Sequence, residues 1–416
     1  MKRKPRRSRN TAAKATPLLG SDRSDAPEPD RQSALKLVTR LMTIPGPSGG
    51  EGAVMQAIIR SLRQAGAPAS SIQTDNAHRR TLIEGEVGNL VFKLPGTMRA
   101  PRRMLMAHVD TVPLCVGSKP VVRGGWVHSS NKQTGLGADD RAGAAVLLGA
   151  AIEILRRRLP HPPLTFLWTV QEEVGLEGAR YARLGLLGKP KLAFNFDGGA
   201  DDKLTVGATG AYRMKIVVEG LASHAGGAPQ HGVSAVAIAG MAIGELQRQG
   251  WHGDIHKQGR HGTSNVGHIS GGAATNVVTD RVELHAEARS HDPKFRVRIV
   301  EAFDGAFQKA AQRVKSAQGK SGRVQLESRL DYESFLLSGR EPCVGVAEAA
   351  VRSAGLEPQR AVTNGGLDAN WMSLRGIPTV TLGCGQQHQH TVTERLDVAV
   401  FQSACRIGLR LATATE

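Results

Sequence analysis

Four short apolar runs in this chain each end in a residue that binds metal well. Met104-Leu105-Met106-Ala107 stops at His108. Leu164 to Val170 runs into Gln171-Glu172-Glu173, and Leu192 to Phe196 stops at Asp197. Ile377 to Leu382 leads, past Gly383-Cys384-Gly385, to His388 and His390. A fifth candidate, Asp139, lies between Gly137 and a helix-like run that follows Arg141. In an open α/β sheet, ligands bind beyond the carboxyl ends of the strands. If the four runs are neighbouring parallel strands, their ends meet at one point. That point holds two histidines and three or four carboxylates, enough donors for two divalent cations.

Taken singly, each motif has a plainer reading. In His108-Val109-Asp110 the carboxylate can accept the second ring N–H of the histidine and fix its tautomer, but such a tripeptide is common in loops. Asp139, in the glycine-rich Gly135-Leu136-Gly137-Ala138-Asp139-Asp140-Arg141-Ala142-Gly143, can bridge two cations with its two oxygens, or simply cap the following helix. Adjacent acids after a buried strand are costly unless each has a partner. A metal can take Glu173 and leave Glu172 as a general base towards water; a solvated turn is the alternative. Asp197, followed by Gly198-Gly199, fits a ligand or an ordinary strand-end turn. In His388-Gln389-His390-Thr391-Val392-Thr393-Glu394 both histidines are possible ligands. The joint occurrence, in order and near element ends, is what points to a two-metal site.

The elements that must position these residues follow from periodicity. Arg31 to Arg63 reads as helix broken by Ile44 to Gly50. From Gly88 to about Val206, strand-length apolar runs alternate with helical patterns, which implies a largely parallel sheet with helices on its faces. After Asp139, Val146, Leu147, Ala150, Ile154 and Leu155 recur at helical spacing up to Arg156-Arg157-Arg158 and Pro160. Near Thr209-Gly210 the pattern changes. Strands at 212–219, 264–269, 282–289 and 323–330 and helices at 234–247 and 299–314 give the order β-α-β-β-α-β, a ferredoxin-like module inserted into the first domain. The α/β pattern then returns, with a helix at 343–354 and the strand at 377–382. The fold class is therefore α/β: a mainly parallel-sheet catalytic domain with an inserted ferredoxin-like α+β domain. The expected segments are 1–30 (disordered basic extension), 31–208 and 331–416 (catalytic domain), and 209–330 (lid or dimerisation domain).

The chain has 416 residues and a formal net charge of +17, part of it in Lys2, Arg3, Lys4, Arg6, Arg7, Arg9 and Lys14. Such an arm can touch nucleic acid or anionic lipid. With no aromatic residue interleaved for stacking, a solvated extension is the preferred reading. The four cysteines form no C-x-x-C pair, so reduced thiols in a cytoplasmic protein are expected rather than a sulfur-bound metal. No apolar run reaches the roughly 18–20 residues of a membrane span, and no apolar stretch follows the basic start as in a secretory signal.

With these motifs in place the chain resembles the dinuclear zinc aminoacylase/carboxypeptidase family, most closely its peptidase T-like members. Gly137 to Gly143 and Asp197-Gly198-Gly199 carry that closer likeness. The resemblance implies two divalent metals, zinc first, with cobalt and manganese also suited to N/O donors. It gives one metal to His108 and Asp197, the other to Glu173 and His390, and makes Asp139 the bridge through a cis peptide to Asp140. His390 is chosen over His388 because Glu394 follows it by four residues. Glu172 becomes the general base and Asp110 the partner of His108. His224, in Gly220 to Gly226, matches a histidine that polarises the substrate carbonyl, in some members across a dimer. Asn276, Arg289 and Gly366 match substrate-binding positions. Gly365-Gly366-Leu367-Asp368 departs from the family in having Leu367 where a hydroxyl is frequent. The implied activity is hydrolysis of small peptides, or alternatively of N-acyl amino acids, by a homodimer. The histidines of Trp251 to His261 (His252, His256, His261) find no place in this scheme and read as a lid feature or a solvated loop.

Overall fold

The computed structural model describes residues 27–414; the basic arm at Lys2–Lys14 lies outside them. Its centre is a nine-stranded sheet in which Leu164–Thr169, Arg103–His108, Leu192–Phe196 and Thr379–Leu382 are consecutive neighbours. All three pairings among them are parallel. Every residue of these four strands is buried, which is why they read as unbroken apolar runs rather than alternating ones. Parallel and adjacent, they bring their carboxyl ends to one edge. The sheet is not purely parallel: Leu90–Leu94 on one side and Lys203–Ala208 on the other add antiparallel pairs. A small four-stranded antiparallel sheet, not anticipated, pairs Gln386–Gln387 and Arg395–Asp397 with Trp126–Ser129 and Pro120–Arg123. It carries the chain past the last histidines.

The helix Ala138–Arg157 packs beneath this edge. The Trp168 indole N–H donates to the Ala144 carbonyl at 3.2 Å. At Gly143 a Cβ would lie only 2.0 Å from the Phe196 carbonyl oxygen, so helix and strand approach more closely than any side chain permits. The helix start differs from the cap reading of Asp139. Asp139 and Asp140 are non-helical and joined by a cis peptide. Asp140 Oδ1 accepts from the Gly143 N–H at 3.0 Å, so capping falls to Asp140 and Asp139 is left for other partners.

The inserted region forms its own five-stranded antiparallel sheet, in the order Gly253–Lys257, Arg260–Gly271, Arg281–Ser290, Gly210–Glu219, Arg323–Tyr332. Helices Ala235–Arg248 and Pro293–Arg313 cover one face, with Ile238, Ile299, Phe303 and Phe307 in a separate core. This corrects the β-α-β-β-α-β order: one more strand, Gly253–Lys257, precedes the second of the expected strands. The segment Trp251 to His261 is thus mostly a β-hairpin and not a solvated loop. Only Ile255 of the added strand is buried, so no apolar run marks it. Among the described residues no helix is long and apolar enough to cross a membrane.

Candidate metal centre

The strand ends do converge. His108 closes its strand with its ring 2% exposed, and its Nε2 lies 3.2 Å from Asp139 Oδ1 and 3.8 Å from Asp197 Oδ1. On the other side, His390 Nε2 lies 2.9 Å from Glu173 Oε2 and 3.4 Å from Asp139 Oδ2. Asp139 therefore turns one oxygen to each histidine. The structure brings together His108, Asp139, Glu173, Asp197 and His390. It also selects His390 over His388 for contact with Glu173, although both adopt left-handed backbone, with φ of 61° and 56°. Glu172, on the same turn, has a carboxylate that accepts no hydrogen bond from the described residues.

Charge crowding is the electrical signature of this pocket. Burial, followed by the neighbouring acids Asp197, Glu173 and Asp368, raises Glu172 well above the usual carboxylate range. Burial and the charges of Asp139 and Asp368 do the same to Asp197, and burial with Asp139 raises Glu173. Asp139 goes the other way: burial would raise it, but its contacts with the two histidines hold it below the ordinary value. His390, bonded to Asp139 and Glu173, is raised to about 10. For His108 burial works against protonation, yet Asp110 and Asp139 outweigh it and lift the ring well above the usual imidazole range. So many converging acids are costly to ionise without cations. Two imidazole nitrogens and three carboxylates, one of them facing both sides, fit two divalent cations with N/O preference.

The supporting residues lie mostly outside the motifs. Asp110 is fully buried and accepts the Glu172 and Glu173 N–H groups at 2.9 and 3.1 Å and the Ser48 hydroxyl at 2.7 Å. His108 Nδ1 lies 3.1 Å from the Asp110 carbonyl oxygen and 3.4 Å from its Oδ1, so Asp110 orients the ring through main chain and side chain while its carboxylate fixes the glutamate turn. Glu394 ties the last loop to the bridging one: its oxygens accept from Leu136 N at 2.8 Å, Gly137 N at 2.7 Å and Asp139 N at 3.0 Å. Gln386 Nε2 donates to Asp197 Oδ1 at 3.1 Å and lies 3.4 Å from Asp139 Oδ1. Asp368 receives the Thr169 hydroxyl, and burial raises it to about 6. Ser48, Gln386 and Asp368 were not singled out by sequence reasoning, nor was Asp140 as a cap. Ser48 and Glu51 sit in or beside the Pro-Gly-rich break after Ile44. That break is pinned to the histidine loop by Thr111 N donating to the Gly46 carbonyl at 3.1 Å.

Glu51 yields a pH prediction. It is fully buried, and Oε1 accepts from Gly49 N at 2.9 Å and Gln171 N at 3.0 Å. Burial first, and the Asp110 charge second, push it from 4.5 to about 7. An acid whose folded value lies above its unfolded one opposes folding once ionised. Its contribution is therefore lost as pH rises from about 4.5 to about 7. Glu51→Gln should remove this slope, a difference on the order of 3 kcal/mol between the ends of the window. Urea unfolding of both chains from pH 4 to pH 8 measures it; parallel curves would contradict the assignment.

The remaining expected site residues stand apart from the cluster. His224 is exposed on the inserted module, and its Nδ1 accepts from Gly226 and Gly227 N–H at 3.1 and 2.8 Å. Its Nε2 is then the protonated nitrogen, a donor. Asn276 is its neighbour, the Asn276 carbonyl accepting from Ala225 N at 2.9 Å. Arg289 is held by Glu287 at 3.0 and 2.9 Å and reaches the Asn364 carbonyl at 3.3 Å. It thereby links the inserted sheet to the loop of Gly366. Gly366 faces the Tyr332 ring so closely that a Cβ would lie 2.5 Å from Cζ.

Known proteins resemble the chain over most of its length. The family described as peptidase family M20/M25/M40 matches residues 104–414, a span holding all five converging ligand candidates. An uncharacterized protein of Bacillus subtilis (strain 168), YqjE, is 32% identical over 312 residues, 75% of this chain and 80% of the relative. A tripeptidase from Staphylococcus aureus superposes with a TM-score of 0.83 at 29% identity, covering 93% of this chain and 99% of that one. The aminopeptidase PepT of Bacillus cereus gives 0.78 at 28% identity, covering 92% and 98%.

Proposed function

Because the chain belongs to peptidase family M20/M25/M40, we propose that it is a metal-dependent exopeptidase of the peptidase T kind acting on small peptides. The observation that carries this reading is Asp139. One of its oxygens faces His108 and the other faces His390, beside Glu172, whose carboxylate accepts no hydrogen bond from the described residues. In this reading His108 and Asp197 would hold one cation and Glu173 and His390 the second, with Asp139 available to both. Bound there, two divalent cations, zinc by preference, supply Lewis acidity towards the scissile carbonyl and towards water.

The protein's own groups do the rest. Glu172 takes the proton that water gives up as it attacks the carbonyl carbon, and returns it to the departing amine nitrogen. Asp110 keeps Glu172 in place through its backbone N–H and keeps His108 from rotating. His224, with its protonated Nε2, would polarise the carbonyl, reaching it in a homodimer joined through the inserted module. Asn276, Arg289 and Gly366 would line the substrate's path. Residues 31–208 and 331–416 would form the catalytic unit, with 209–330 as lid or dimerisation domain, in a cytoplasmic enzyme. The two separate hydrophobic cores support that division.

Assay of zinc-, cobalt- and manganese-loaded protein against dipeptides, tripeptides and N-acyl amino acids tests the assignment. Tripeptides with a free amino terminus should be the preferred substrates. Faster release of the amino acid from N-acyl derivatives would turn the reading to an amidohydrolase.

A further inference from the structure

The hairpin at Trp251 to His261 collects three metal-binding side chains that have no role assigned above. Gln258 and Gly259, with φ of 53° and 71°, make its two-residue turn, the positive-φ pair that matches strand twist. The register then sets His256 directly opposite His261 and Asp254 opposite Thr263. Side chains two apart on a strand share a face, so Asp254 and His256 point the same way as the cross-strand His261. Ile255 points the other way and is buried in the module's core. On the outer face His256 Nε2 lies 3.0 Å from Asp254 Oδ2, and His261 Nε2 lies 2.7 Å from Asp254 Oδ1. The two imidazoles are 4.6 Å apart between ring centres.

An ordinary surface ion pair explains this poorly. Exposed pairs contribute about 0–1 kcal/mol, and one histidine would suffice. Here both rings turn the same nitrogen to one carboxylate, and all three donor atoms lie within 4.8 Å of one another. Ligands of a tetrahedral ion with bonds of about 2.0–2.1 Å are themselves roughly 3.3 Å apart, so the 2.7 and 3.0 Å hydrogen bonds need to widen by only a few tenths of an ångström to admit one. The two cations flanking the turn are engaged elsewhere: Lys257 Nζ with the Gln249 carbonyl at 2.7 Å, and Arg260 with Asp292 at 3.4 Å. Two imidazoles and one carboxylate suit zinc, copper or nickel rather than magnesium or calcium, which favour all-oxygen sites.

We propose that Asp254, His256 and His261 form a surface site for a borderline divalent cation such as Zn2+, separate from the catalytic donors. Three protein ligands leave a coordination position to solvent or to an incoming group. The ion would clamp the edge strand Gly253–Lys257 to its neighbour at the hairpin tip.

The test counts metal. Wild-type chain and a His256→Ala/His261→Ala variant are dialysed to equilibrium against micromolar Zn2+, and metal per chain is measured by elemental analysis. Wild type should hold one ion more than the variant, with peptide hydrolysis equal in the two. Asp254→Asn should lower the affinity of that extra ion while retaining both rings. Equal metal content in wild type and the double variant overturns the proposal. So does loss of an ion together with hydrolytic activity, because the missing ion then belonged to the catalytic cluster. The count does not depend on which substrate is cleaved, so a failed peptidase assignment would leave it readable.

Discussion

A chain carrying Glu172→Gln keeps its metals and its fold while peptide turnover falls by about 10²–10⁴-fold, the usual contribution of a positioned acid–base group. The two neighbouring glutamates are distinguished by what holds them. Glu173 meets His390 at 2.9 Å. The Glu172 carboxylate accepts nothing from the described residues, and only the backbone is held, its N–H by Asp110 at 2.9 Å and its carbonyl by the Gly175 and Leu176 N–H groups at 3.0 and 2.8 Å. A carboxylate intended as a ligand would be expected to converge with the other donors; one intended to shuttle a proton must be free to meet water. Glutamine keeps the shape and the backbone bond but cannot take a proton. It also removes a buried acid that its neighbours resist ionising, so the variant should unfold no more readily than wild type. Metal content, a urea unfolding curve and the turnover number together read the result. Wild-type turnover in Glu172→Gln would assign the base elsewhere, whereas a lost metal would make Glu172 a ligand.

What the sequence revealed and what it concealed follow from burial. The four central strands were legible because a parallel strand covered on both faces is written as an apolar run, and each run's last residue marks the sheet edge where donors gather. The strand Gly253–Lys257 was not legible, because an edge strand with one buried side chain among Asp254, His256 and Lys257 carries no apolar signature. For Asp139 the residues alone left a bridging ligand and a helix cap both open, and the cap role of Asp140 was not visible. Only the backbone conformation separates the cap from the residue facing both histidines. Asp110 was visible two residues after His108, yet its grip on the Glu172-Glu173 turn was not, since that contact spans 62 residues. Ser48 and Glu51 were hidden for the same reason. A polar residue in a glycine-rich break looks like a solvated turn until the loop it folds against is known.

The shared carboxylate gives the second large effect. Asp139→Asn should leave the chain with at most one of its two cations and lower turnover by more than about 10²-fold. Loss of even an outer partner of a metal ligand costs about 10–100-fold in affinity or activity, and Asp139 stands inside that shell. Asparagine is the same size, so the 3.2 Å approach to His108 and the 3.4 Å approach to His390 are not sterically altered. The change is chemical: one of the two sides now meets an NH2 group, which cannot bind a cation, and the negative charge that, with Asp110 at His108 and Glu173 at His390, raises both histidines is gone. Glu394→Gln is the instructive comparison. That side chain accepts the Leu136, Gly137 and Asp139 N–H groups and faces none of the proposed ligand atoms directly. Losing half of that grip should loosen the Asp139 loop, weaken metal affinity and leave turnover near wild type once metal is in excess. Elemental analysis after gel filtration, with competition against a chromogenic zinc chelator, separates the two variants. If Asp139→Asn retained two tightly bound ions, the shared-ligand geometry would have to be abandoned. If excess metal restored it to full activity, Asp139 would be a loop-positioning residue like Glu394 and not the bridge between the two halves of the site.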